Sequence, residues 1–158
     1  MTSHLSCALV LLAALLAAPA AAQQTVHGEN SVFVSPAVKL GWAVRRGASE
    51  AETLVIVRVV ADASYRAIRV EGVDPFTKDR KVFVTARPLD GVTDIAIPRA
   101  QFADHPSTEF HFFASAEDAA ANTPKLTVFY LGVPDTTPEF REQRDAAAYL
   151  ERMLAPVK

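Results

Sequence analysis

Between Val38 and Leu131 the apolar residues recur mostly at every second position, in short runs broken by Gly, Pro, Asp and Ser. A period of two marks half-buried strands, and turn residues roughly every 8–12 positions leave little room for long helices among them. Val38, Leu40, Trp42 and Val44 alternate with Lys39, Gly41, Ala43 and Arg45, which predicts a strand with Trp42 in the core. Leu54 to Val60 is β-branched and apolar on both faces except at Arg58. It reads as a central strand, with Arg58 paired to a carboxylate or reaching solvent at an edge. Ile68 and Val70 alternate with Arg69 and Glu71, and Val82, Val84 and Ala86 share one face of the next run. Between them Gly72 to Asp79 reads as a loop with Phe76 buried. Pro88-Leu-Asp-Gly91 is a turn by its chemistry. Arg99 to Ser107 reads as a surface connection. In the strand that follows, Phe110 and Phe112 face the core, while His111 and Phe113 share the face read as exposed.

At the end of this pattern the period changes. Leu126 to Leu131 is apolar on both faces, as in a strand covered on both sides. Gly132 and Pro134 end it, and Asp135, Thr136 and Thr137 offer oxygens to the free amides of a helix that Pro138 can open. Thr136 and Glu139 have capping-box spacing. From about Pro138 to Leu154, the residues Phe140, Ala147, Leu150 and Leu154 form one stripe, expected to dock on the strands. The fold class expected is therefore mainly β. It is an antiparallel β-sandwich of about seven or eight strands, immunoglobulin-like or fibronectin-III-like in strand number alone, closed by one C-terminal amphipathic helix. The Cys…Trp…Cys signature of true immunoglobulin domains is absent.

The first residues follow a different rule. Leu5 to Ala22 is an almost unbroken apolar run ending in three alanines, the pattern of a secretory signal with its small-residue cleavage site. The n-region has no Lys or Arg, a departure from that pattern; an uncleaved anchor is the competing reading. The expected division is residues 1–22 signal peptide, 23–30 flexible lead-in, 31–134 sandwich and 135–158 C-terminal helix. Cys7 stands near the start of the apolar run rather than after it, unlike a lipoprotein cysteine, and it is the only cysteine. Cleavage after Ala22 leaves no thiol for disulfides, catalysis or soft-metal binding. The net charge of −2 resides wholly in the remaining chain and gives no pull toward nucleic acid. A periplasmic or secreted location is expected, without stable membrane insertion once the signal is removed.

Motifs for chemistry are missing: no G-x-S-x-G, S-x-x-K or P-loop, and no metal-ligand spacing among the histidines. Glu71, Asp74 and Glu109 offer an acid–base pair only in the generic sense that most globular chains do. No cofactor and no metal is expected, and a non-enzymatic module binding another envelope protein is the leading expectation. Two alternatives remain. A carbohydrate or small-ligand module would need Tyr65, Phe76, Phe83, Phe113 or Tyr130 exposed for stacking. A hydrolase would need loop carboxylates such as Asp74, Asp79, Asp90 and Asp94 to converge. Loops carry function more often than strands, so the first place to look is a loop end bearing Asp74, Phe76 and Asp90, with Arg99 and His105 as outlying members.

Overall fold

The computed structural model describes residues 24–27 and 32–130; the expected signal segment and the expected helix from Pro138 lie outside the described residues. The strands are β1 (Gln24–His27), β2 (Val32–Val34), β3 (Val38–Arg45), β4 (Leu54–Ala61), β5 (Ala67–Val73), β6 (Arg80–Pro88), β7 (Val92–Pro98), β8 (Ser107–Phe113) and β9 (Leu126–Tyr130). They form a five-stranded sheet in the order β1-β9-β8-β5-β6 and a four-stranded sheet in the order β2-β3-β4-β7. Pairing is antiparallel throughout except between β1 and β9, which run parallel. The residues expected to form a flexible lead-in thus contribute a strand, because β9 leaves an unpaired ladder edge that β1 satisfies.

The two sheets share one core. Val38, Leu40 and Trp42 of β3 and Val55, Val57 and Val59 of β4 meet Ile68, Val70, Phe110, Phe112 and Val128 from the other sheet. Trp42 is the bridge: its ring stands edge-on to Phe110 at 5.7 Å and tilted against Tyr130 at 4.8 Å. β4 is central in its sheet, as its composition implies, and Arg58 grips Asp94 on neighbouring β7 through two hydrogen bonds of 2.8 and 2.7 Å. Asp94 is thus a strand residue in an ion pair, not a loop carboxylate. One short helix, α1 (Ala116–Ala120), follows β8, with Ser115 as its N-cap accepting the Asp118 N–H at 3.0 Å.

β6 departs from the expected alternation. Two register shifts against β5 give it two extra residues, one of them Phe83, between the pairs Glu71–Val82 and Val70–Val84. A bulge re-aims the side chain at its position. Val82, expected on the apolar face, is 48% exposed, and Phe83 turns in instead to meet Phe102 at 4.9 Å. Phe102 lies in the connection expected at the surface, yet it is buried in a 3₁₀ turn, Arg99–Phe102. The Phe83 ring lies directly over Gly72, in the space a Cβ would need. Gly72→Ala is therefore expected to destabilise by about 1–3 kcal/mol, as overpacking does. Urea unfolding checks this, and a change below about 0.5 kcal/mol would show that the ring shifts freely.

Candidate functional site

The outer face of the five-stranded sheet carries the densest polar chemistry among the described residues, and strand register assembles it. Arg69 and Glu71 of β5, Glu109 and His111 of β8, and Thr127 of β9 occupy alternate positions and so project from the same face. Arg69, His111 and Thr127 are register partners across three strands, and Glu71 lies directly opposite Glu109. Two like charges directly opposite are destabilising. Arg80, at the start of β6, resolves this. Its Nη1 donates to Glu71 Oε2 at 3.0 Å and to Glu109 Oε2 at 2.6 Å, and its Nη2 donates to Glu109 Oε1 at 2.9 Å. Arg69 adds an ion pair to Glu71 at 2.9 Å and lies over the Phe113 ring, 5.7 Å from its centroid. The charges of the two arginines and two glutamates cancel.

His111 completes the cluster. Its Nδ1 lies 3.2 Å from Thr127 Oγ1; with the Thr127 hydroxyl donating there, the ring proton sits on Nε2. That nitrogen is 3.2 Å from Glu109 Oε2 and 3.5 Å from Glu71 Oε2, but it is aligned with neither and makes no directed hydrogen bond. The ring and the Arg80 guanidinium hold the Glu109 carboxyl down to about 2, against burial, which pushes it up. The influence of His111 is read as proximity of its polar edge, because the bond geometry is poor. His111 and Phe113, expected to be exposed, are both buried, and Glu71 is buried with them. The charged cluster and Thr127, with Asn122 and Pro124, line an open hollow of about 400 Å³.

Glu71, Glu109 and His111 could offer three ligand atoms to a metal, all within 4.8 Å of one another. Both glutamates of that set are engaged by the Arg80 guanidinium, and a divalent ion would have to break its two-pronged contact with Glu109 to enter. General acid catalysis fits poorly too. A carboxyl held near 2 is ionised at neutral pH, whereas an acid catalyst needs its proton kept by a raised pKa.

The residues singled out in the sequence are scattered. Asp74 and Phe76 lie in the β5–β6 turn, and Asp90 lies in the β6–β7 turn, at the opposite end of β6. Nine residues of strand separate the two turns by roughly 30 Å, so the single loop end expected to hold both does not exist, nor does a convergence of these loop carboxylates. His105 lies close enough to Asp74 to favour its charge and stands edge-on to Phe83 at 6.4 Å. Arg99 begins the 3₁₀ turn after β7, the end of that strand remote from Asp90. Phe76, expected to be buried, is 90% exposed. Of the five aromatics considered for ligand stacking, Phe113 and Tyr130 are buried, while Tyr65 and Phe83 pack on the core. No stacking platform is therefore assembled from them.

Comparison with known proteins gave no match to any family model, curated protein or solved structure.

Proposed function

We propose that this chain is an exported, non-catalytic, immunoglobulin- or fibronectin-III-like module that docks on another envelope protein through its β5–β6 turn. The fold reading is supported by two interlocked pairings, β4 with β7 in one sheet and β5 with β8 in the other. Strands B with E and C with F pair in this way in immunoglobulin domains. Under that correspondence β3 takes the place of strand A and β9 that of strand G.

The observation that carries the functional reading is Phe76. An aromatic ring held 90% exposed contributes nothing to the core, and a rigid exposed aromatic is the type of residue that anchors protein contacts. Its turn is preset. The Asp74 carboxylate accepts the N–H groups of Phe76 at 2.7 Å and Thr77 at 3.1 Å. Those two bonds hold its pKa below the usual carboxylate range. Lys78 closes the turn at φ 66° and donates from Nζ to the Pro75 carbonyl. A preorganised turn loses little freedom on binding. By contrast, the charged groups of the outer face are occupied with one another.

Phe76→Ala is expected to leave unfolding stability unchanged within about 0.5 kcal/mol and to abolish capture of the partner from an envelope extract. Val92→Ala serves as the control. Val92 is also exposed, at 62%, but it begins β7 beside the opposite turn. A protein retained by wild type and by the Val92 variant but lost with Phe76→Ala supports the reading. Equal retention by all three, or by none, defeats it.

A further inference from the structure

A second hollow, of about 390 Å³, opens where β5, β6 and α1 meet. It differs in kind from the charged one. Its floor is carbon, built by Ala67, Ala86, Pro88 and Ala119 among others, and Arg66 and Arg87 line it as well. Both arginines are exposed. Unlike Arg58, Arg69 and Arg80, neither has a side-chain hydrogen bond or ion pair among the described residues. The small side chains are what keep the hollow open. α1 rests against β5, β6 and β8, and the three of its residues that line the hollow, Ala116, Ala119 and Ala120, end at Cβ. One extra residue of β6 opposite β5, between the pairs Ile68–Arg87 and Val70–Val84, makes the neighbouring strand end irregular.

We propose that this hollow binds an aliphatic carboxylate, its alkyl chain on the alanine floor and its charge met by Arg66 and Arg87. Two unpaired guanidiniums select an anion, and carboxylate suits their planar fork. The floor selects an alkyl chain over a peptide. It has no side-chain donors or acceptors, so a peptide backbone laid there would leave desolvated N–H and C=O groups unsatisfied, whereas a hydrocarbon has none to satisfy. The volume lies in the lower part of the range for small-ligand sites, about 300–1,000 Å³. The proposal is independent of the Phe76 turn, which lies at the far end of β6.

Decanoate is the probe, titrated into the full chain and followed by calorimetry and by the methyl NMR signals of Ala67, Ala86 and Ala119. The expected result is saturable one-to-one binding with shifts confined to these methyls. Arg66→Gln/Arg87→Gln should weaken decanoate at least about fivefold, the scale of a charge-assisted contact at a solvent-exposed rim, without changing the binding of decanol. Ala119→Phe, which fills the hollow, should abolish binding of both. Absence of saturation by about 1 mM, the weak end of specific binding, overturns the proposal. So do equal affinity in the arginine double variant and shifts scattered over the surface. Binding that emerges only in a Phe140→Ala/Leu150→Ala variant would mean that the chain's own C-terminal residues are the occupant, and would also overturn it.

Discussion

Trp42→Ala is expected to cost about 3–5 kcal/mol, the range for deleting a large buried aromatic. Total stability for a domain of this kind is about 5–15 kcal/mol, so the variant is expected to sit near the threshold of folding. The argument rests on position as much as on size. Trp42 is 2% exposed, belongs to the four-stranded sheet, and touches Phe110 and Tyr130 of the other sheet. Its loss removes the main aromatic contact between the sheets and leaves a cavity that neither sheet can fill without changing register. Trp42→Phe keeps an apolar ring and is expected to lose about half as much. Urea midpoints of the two variants decide the matter. A cost below about 1 kcal/mol for Trp42→Ala would mean that the sheets hold together without it.

Arg80→Ala is expected to cost about 2–3 kcal/mol. Removing one partner from a buried charge pair costs about 3–5 kcal/mol because the other charge is stranded. Here the figure is reduced because the Arg80 side chain is 49% exposed, although Glu71 and Glu109 are only 11% and 15% exposed. Arg80→Lys is expected to fall between, since an ammonium cannot grip both glutamates in one plane. Adding Glu71→Gln to Arg80→Ala should recover part of the loss, and the double-mutant cycle measures how much.

Acid titration supplies a further check. The Glu109 pKa in the fold is about 2, below the unfolded value of about 4.3. Its contribution to stability is therefore fully present above the unfolded value and is lost as pH falls from there through about 2. Without Arg80 that depression shrinks, so the gap between wild type and Arg80→Ala should stay constant from pH 7 to about 5 and narrow as pH falls from about 4.3 toward 2. A gap that stays constant below about pH 4.3 as well would show that Arg80 acts through packing alone.

The strands were legible because their period is local. Trp42 in the core and the central position of β4 follow from alternation and composition, which leave Arg58 open between a carboxylate partner and solvent at an edge. The outer-face cluster was only half legible. Arg69-Val-Glu71 and Glu109-Phe-His111 place charges at spacing two inside apolar strands, a signal that something on that face must neutralise them. That the two segments pair depends on strand order, which the periodicity does not contain. Phe76 and Phe83 were misplaced for related reasons. The bulge that turns Phe83 inward changes the parity of β6, and parity arguments fail wherever a residue is inserted. Apolar character alone argues for burial even in a loop, but the Asp74 hydrogen bonds set the turn, and the turn points Phe76 outward. Asp90 was grouped with Asp74 because loop residues carry no address without a topology.

The parallel pairing of β1 with β9 has a mechanical consequence. Among the described residues β1 is the first strand and β9 the last, and the two run side by side in the same direction. Tension applied between the start of β1 and the end of β9 would pull these strands past each other along their length, so every hydrogen bond in the ladder would bear load together. An antiparallel pair pulled from adjacent ends would instead open one bond at a time, like a zip. Force entering at the start of β1 and leaving at the end of β9 would therefore meet shear resistance along this one pair of strands.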